Sequence, residues 1–316
     1  MSATYTPVAG FSRFNLAQIQ LRPGEEDKTK NLDHARDLIV QAAAGGGDDS
    51  RKADLIILPE YFNSPIANSA HKKHAEEVPD VPAGGKIEKK DLPAASPTLK
   101  MLSDAAIQTG IYIIGGSIPE RDLTDDTKVY NTMTVWDPQG RMIGKYRKMH
   151  LYDVDIPGGI TMRESDVISP GSEPTVMKFP FGTVAVAICF DIRFQFLIAS
   201  LREANPDICA YLLPAAFNLT TGPKAWEILQ RARAIDNQIY VGMCSPARKQ
   251  GEEYVAYGHT LLCDCEGKII STPTPEDEGE TIVYSTLDPE HLSAIRKGVP
   301  TLTAQRRDVY NLPSFK

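Results

Sequence analysis

Strand-like apolar runs alternate with helix-patterned segments along most of this 316-residue chain, and the alternation occurs twice in the same order. In the first half, residues 14–21 read as a strand, 32–44 as an amphipathic helix and 54–59 as a short apolar strand. A loop rich in Pro, Gly and Lys fills 61–95, and Ser96-Pro97 is a helix-start signal for a helix to 109. Residues 111–117 make the next strand, and strands 130–136 and 142–147 flank the turn Asp137-Pro138-Gln139-Gly140. After a second long loop, 150–172, the plan repeats. Strands 176–179 and 184–190 flank Pro180-Phe181-Gly182, and helix 195–204, strand 208–213, helix 224–236 and strand 239–244 follow. A hairpin, 260–263 with 268–271 around Glu266-Gly267, mirrors the earlier one, and 281–288 supplies a last strand.

Two halves of this kind predict an α/β fold with internal pseudo-twofold symmetry: two sheets face to face with helices outside, a four-layer α-β-β-α sandwich. One domain is expected over 12–290, with 291–316 as a C-terminal extension whose stretch 299–313 has little periodicity and is expected to pack across a partner subunit. The rival is a doubly wound dinucleotide fold, but no G-x-G-x-x-G follows the first strand. A P-loop is absent too, because Gly85-Lys86 is followed by Ile87, which has no hydroxyl for a metal ion.

Charge and composition remove other classes. With 34 basic against 41 acidic side chains the net charge is −7, which offers no footprint for nucleic acid or an anionic membrane. No run of 18 or more apolar residues occurs, and the first 21 residues carry a single arginine and no apolar block of signal-peptide length. A cytoplasmic protein is expected, with a mitochondrial fraction left open. The cysteines at 189, 209, 244, 263 and 265 are odd in number and sit mostly in apolar runs, as buried reduced thiols do. Cys263-Asp264-Cys265 lacks both the spacing of a redox pair and a second ligand pair for zinc.

Three reactive side chains stand directly after strand-like runs, where α/β sheets place their ligands. Glu60 ends Leu55-Ile56-Ile57-Leu58-Pro59, Lys148 ends Gly144-Lys145-Tyr146-Arg147, and Cys189 ends Val184-Ala185-Val186-Ala187-Ile188. Taken singly, each has a plain reading: a surface acid, a solvated lysine, a core cysteine. Spacing cannot assemble them into one site. Their chemistry is nevertheless compatible. A thiolate is the strongest side-chain nucleophile at neutral pH, a carboxylate can take the thiol proton and later one from water, and an ammonium with a backbone N–H can hold an oxyanion. A Cys–His dyad using His150 or His259 is the competing assembly.

Leu58-Pro59-Glu60, Tyr146-Arg147-Lys148-Met149-His150-Leu151 and Ile188-Cys189-Phe190-Asp191-Ile192-Arg193-Phe194 resemble, in order, the three signatures of the nitrilase superfamily of C–N hydrolases, and the similarity runs over 14–308. The resemblance implies a sandwich of the nitrilase type, no cofactor and no metal. It implies a triad of Glu60 as general base, Lys148 as oxyanion stabiliser or acid and Cys189 as nucleophile, with Glu164 of Met162-Arg163-Glu164-Ser165 as a second, positioning glutamate. It also implies at least a homodimer.

Within the superfamily the chain is most similar to the omega-amidase branch, which deamidates the small keto-amides 2-oxoglutaramate and 2-oxosuccinamate. Asp153-Val154-Asp155-Ile156-Pro157-Gly158, Ala216-Phe217-Asn218-Leu219-Thr220-Thr221-Gly222-Pro223 and Ala234-Ile235-Asp236-Asn237-Gln238 carry that likeness. A deaminated-glutathione amidase, which tends to have Thr at the place of Asn218, is the alternative; a non-catalytic interaction protein is a more distant one. A distal carboxylate needs a cation, and Arg193 is the candidate, unless it only pairs with Asp191. Phe190, Phe62, Phe217 and Asn218 complete the expected substrate-binding set. Glu227 and Arg231, spaced i, i+4, read as helix stabilisers. Three departures from the family pattern stand out: Phe190 where Tyr is usual, Gln195-Phe196 where an acidic pair member is common, and Tyr61, larger than the usual residue after the catalytic glutamate.

Overall fold

The computed structural model describes residues 8–22, 24–45, 52–251, 254–312 and 314–315. The first half runs β1 (Phe14–Gln20), α1 (Lys28–Ala44), β2 (Leu55–Ile57), α2 (Asn68–His74), β3 (Glu76–Glu77), α3 (Pro97–Thr109), β4 (Tyr112–Ile114), β5 (Ile118–Arg121), β6 (Val129–Trp136) and β7 (Met142–Arg147). A small hairpin follows, β8 (Asp153–Asp155) and β9 (Thr161–Arg163). The second half runs β10 (Thr175–Phe179), β11 (Gly182–Val186), α4 (Gln195–Ala204), β12 (Ile208–Pro214), α5 (Gly222–Asn237), β13 (Tyr240–Cys244), β14 (Leu261–Cys263), β15 (Thr281–Leu287) and α6 (Pro289–Gly298).

The two sheets repeat one pattern. In the first, parallel β1, β2 and β4 lie between antiparallel β15 and β6; in the second, parallel β11, β12 and β13 lie between antiparallel β10 and β14. Even the turns correspond. Asp137 Oδ1 accepts from the backbone N–H of Gln139 and Arg141, and Asp264 Oδ1 accepts from those of Glu266 and Lys268. Each turn closes on a glycine with positive φ, Gly140 or Gly267, the conformation in which a Cβ is penalised.

Strand alternation sorts the side chains into layers. Leu16, Leu55 and Ile57 of the first sheet share one core with Val184, Val186 and Leu212 of the second. The opposite face of the first sheet, with Ala17, Ile19 and Ile56, packs on Ile39 of α1 and Leu99 and Leu102 of α3. Trp226 and Ala234 of α5 cover the second sheet from outside. The expected four layers are therefore present. Gln18 crosses the middle: its amide donates to the carbonyls of Met243 and Leu261, both 3.2 Å away.

Several local expectations change. The loop expected over 61–95 contains α2, and that over 150–172 contains the β8–β9 hairpin. The strand expected over 111–117 stops at Ile114, because Gly116 turns the chain with φ +59°. The strand expected to reach 190 ends at Val186, and Cys189 instead opens a 3-10 helix, Cys189–Arg193. Residues 268–271 add one bridge, Ile269 to Cys263, rather than a strand.

Helix α6 crosses the boundary expected between 290 and 291. Asp288 caps it by accepting from Glu290 N at 2.8 Å, with Pro289 in its first turn. Leu292 sits in the main core, and buried Arg296 donates to the carbonyls of Gln238 and Ile208, each at 3.0 Å. Of the expected extension, residues 313 and 316 lie outside the described residues. If α6 belongs to the core's cooperative unit, Leu292→Ala should lower stability by about 2–5 kcal/mol. Urea denaturation should still show one transition; a separate early transition would mean that α6 docks independently.

Candidate active site

Three strands deliver their side chains to one place. Leu58-Pro59 carries the chain from β2 to Glu60, Lys148 follows β7 directly, and Ala187-Ile188 lead from β11 to Cys189. Glu164 comes from farther along, at the start of a 3-10 turn (Glu164–Asp166) behind β9. All four side chains are buried. Lys148 Nζ lies 3.0 Å from Glu60 Oε1 and 2.8 and 3.1 Å from the two oxygens of Glu164. The Cys189 thiol lies beside the Glu60 carboxyl and the Ala216 main chain. The Asn131 amide, opposite the end of β7, donates to Glu60 Oε1 at 2.8 Å.

The backbone reaches this arrangement through two left-handed residues, Tyr61 (φ 53°) and Cys189 (φ 47°). Such a conformation costs a non-glycine residue roughly 1–3 kcal/mol and persists only where its surroundings impose it. Around Cys189 the constraint is Asp191. Its buried carboxylate accepts from Ile188 N at 2.9 Å, Tyr146 Oη at 2.7 Å and His150 N at 3.0 Å, and meets His150 Nδ1 at 2.7 Å. One side chain thus fastens the cysteine turn to the segments on either side of Lys148. Beneath Glu60, Gly116 approaches so closely that a Cβ there would stand 2.4 Å from the Pro59 carbonyl oxygen.

Burial and charge separate the two glutamates. Burial, reinforced by the charge of Glu164, holds the Glu60 carboxyl above the ordinary value of 4.5 despite Lys148. Glu164 is equally buried, but Lys148 and the Tyr152 N–H, which donates at 2.7 Å, bring it below 4.5. Burial opposes the Lys148 charge, yet the two carboxylates outweigh it and push its pKa well above 10.5. Burial and Glu60 push the Cys189 thiol well above 9.0. At rest, Cys189 is therefore a thiol, Lys148 and Glu164 are charged, and Glu60 is the carboxylate best placed to gain and lose a proton. The other four cysteines are buried, free and without such a neighbour.

The cavity above Cys189 is small, about 30 Å³. Phe190, Phe217, Arg193, Tyr152 and Tyr254 wall it, with Ile66 and Met162 at its edge. The Arg193 guanidinium lies 5.3 Å from the Phe217 ring centroid and 5.7 Å from that of Phe190, and its Nε has no partner. The alternative Asp191–Arg193 pair does not form, since Asp191 is engaged by Ile188, Tyr146 and His150.

Of the expected substrate-binding residues, Phe62 stands apart, buried in the core between the first sheet and its helices. Asn218 Oδ1 accepts from the N–H groups of Thr220 and Thr221, both at 3.0 Å, forming a turn before α5, while its amide donates to the Tyr152 hydroxyl at the cavity wall at 3.4 Å. The Cys–His assembly is absent as well: His150 binds Asp191 and stacks on Phe194, while His259 stacks on Tyr257. Sequence reasoning did not find Asn131, Tyr152 or Tyr254. Asn131 left a signal, a lone amide within the strand that pairs with the lysine-bearing one; Tyr254, whose hydroxyl donates to the Ala216 carbonyl, left none.

A cysteine held against a glutamate–lysine–glutamate cluster on a two-sheet sandwich defines a class of hydrolase-like sites. Residues 15–297 match the family model described as carbon-nitrogen hydrolase, and the chain belongs to that family. It is 40% identical over 305 residues to a mouse protein named omega-amidase NIT2, covering 96% of this chain and 99% of that one. It is also 40% identical to omega-amidase NIT3 of Saccharomyces cerevisiae, over 95% of each chain. The crystal structure of Saccharomyces cerevisiae Nit3, titled a member of branch 10 of the nitrilase superfamily, superposes with a TM-score of 0.80 at 34% identity, over 96% of this chain and 99% of that one.

Asp191→Ala leaves the Ile188 N–H and Tyr146 hydroxyl without their buried acceptor. The variant should lose about 3 kcal/mol of stability, read from urea denaturation. A midpoint equal to that of the parent would show that Asp191 does not hold the cysteine turn.

Proposed function

We propose that the protein is an omega-amidase that hydrolyses the terminal amide of small 2-oxo dicarboxylic acid monoamides, 2-oxoglutaramate and 2-oxosuccinamate, to the oxo acid and ammonia. The observation that carries this reading is one cavity holding both Cys189, beside Glu60, and an arginine with an unpartnered Nε. The first is what acyl transfer requires and the second is what a distal carboxylate requires. The omega-amidase relatives support the substrate class.

In the proposed mechanism Cys189 Sγ attacks the amide carbon as its proton passes to Glu60. The carbonyl oxygen becomes an oxyanion held by the Lys148 ammonium and the Phe190 N–H. Collapse breaks the C–N bond, Glu60 returns the proton to the leaving nitrogen, and ammonia departs from a Cys189 thioester. Glu60 then takes a proton from water, the resulting hydroxide adds to the thioester, and the C–S bond breaks to release the oxo acid and restore the thiol. Glu164 acts by keeping Lys148 in place. Phe217 and Phe190 flank Arg193 as it binds the distal carboxylate.

The chain is proposed to act in the cytoplasm as a homodimer or larger homo-oligomer, with 299–313 across the partner. Phe196, Val309 and Tyr310, each more than half exposed, provide apolar surface for that contact. Among the described residues no helix is long and apolar enough to cross a membrane.

The purified protein should release ammonia from 2-oxoglutaramate, and Cys189→Ala should abolish it with the fold intact by circular dichroism. Equal activity in both proteins would sink the cysteine mechanism; a larger kcat/KM for deaminated glutathione would replace the substrate assignment. Arg193→Ala should raise KM for 2-oxoglutaramate about 10–100-fold, the weight of hydrogen bonds to a charged group. The pH profile is a separate check. A base with a raised pKa loses its function on protonation, so kcat/KM should fall on the acidic side through a limb lying above pH 4.5. A limb at or below the ordinary carboxylate range would exclude Glu60 as the base.

A further inference from the structure

Next to Glu60, Tyr61 has contacts that the reaction above does not use. Its hydroxyl donates to Glu164 Oε1 at 3.1 Å, and its backbone N–H bonds Ser117 Oγ at 3.2 Å. Its ring stacks on that of His71 in α2, with centroids 4.3 Å apart and planes 23° from parallel. His71 is wholly buried, and neither ring nitrogen has a partner. A buried imidazole without hydrogen bonds contributes through its flat surface, and here that surface faces Tyr61. Tyr61 thus reaches Glu164 from the side opposite the Tyr152 N–H, which binds the other carboxylate oxygen.

We propose that Tyr61, held in place by the His71 ring, is a positioning residue that keeps Glu164 ionised and turned onto Lys148, so that the transferable carboxyl proton stays on Glu60. This rests on the catalytic reading of Glu60 and Cys189 given above. The groups facing Glu164 are Lys148 after β7, Glu60 after β2, His71 on α2, and the donors Tyr61, Tyr152 N–H and Asn131, whose amide is 3.4 Å away. His71 itself faces Glu164, Lys148 and His74. Burial, with Glu164 and Glu60 adding to it, pushes the Tyr61 hydroxyl well above 10.0, so it remains a donor. Burial also lowers His71 to about 4, so the stacked ring is neutral and does not compete with Lys148 for the carboxylate.

Tyr61→Phe keeps the ring and its stacking and removes only the hydroxyl. Loss of that donor raises the proton affinity of Glu164, so the coupled Glu60–Glu164 pair takes up its first proton at higher pH. The variant should lose about tenfold in kcat with little change in KM, and its acidic limb should move up by about one pH unit. The same upward move should appear in the pH dependence of Cys189 alkylation by iodoacetamide, which needs no substrate. His71→Ala should shift both profiles in the same direction. Limbs at the parental pH in Tyr61→Phe overturn the proposal, and so does a fall in kcat accompanied by a lower melting temperature but unmoved limbs. A parent protein that fails to turn over 2-oxoglutaramate defeats the substrate reading alone, and the alkylation profiles still decide the role of Tyr61.

Discussion

The buried ammonium of Lys148 is the constraint around which the rest of the structure is arranged. A charge removed from water costs several kcal/mol unless its surroundings compensate, and here the compensation comes from Glu60 and Glu164 together. Two carboxylates on one lysine leave a surplus negative charge, which the site resolves unequally: Glu164 lies below the ordinary carboxylate range and Glu60 above it. That inequality follows from the number of donors on each oxygen. Glu164 receives Lys148 twice, Tyr152 N–H and Tyr61, whereas Glu60 receives Lys148 and Asn131 and meets a thiol.

The sandwich makes such a cluster possible because it brings strand ends from both sheets together. Glu60 and Lys148 leave the first sheet and Cys189 leaves the second, so no single sheet holds all three. The apolar core shared by Leu16, Ile57, Val184 and Leu212 fixes the spacing of the sheets, and Asp191 ties the cysteine turn to Tyr146 and His150 across the gap. Stability and chemistry are thus coupled through the same few residues. The left-handed backbone at Cys189 and Tyr61 is where the coupling is tightest, since neither residue would adopt it in a free chain.

The layers and the order of most elements were legible in the sequence, because alternation of apolar residues reports burial directly and each half repeats it. Glu60, Lys148 and Cys189 were legible as candidates through their positions after apolar strands, and their assembly through the motifs around them. Phe62 misled because an aromatic beside a strand end reads the same whether it faces a cavity or a helix layer; here it faces the helices. Helix α6 was not read from the sequence, although Asp288-Pro289 marked its start.

What the amino-acid sequence by itself determined is the pair of interlocking patterns: strand and helix periodicities that specify two sheets with helices outside, and reactive residues at the strand ends. These are local properties, set by neighbours within a few positions along the chain. Tertiary structure alone decided that Lys148 sits between two glutamates 88 and 16 residues away, that Asp191 serves Tyr146 and His150 rather than Arg193, and that Tyr61 meets both Glu164 and His71. Such pairings depend on how the two sheets register across their common core, and a proton's preferred carboxylate depends on the pairings.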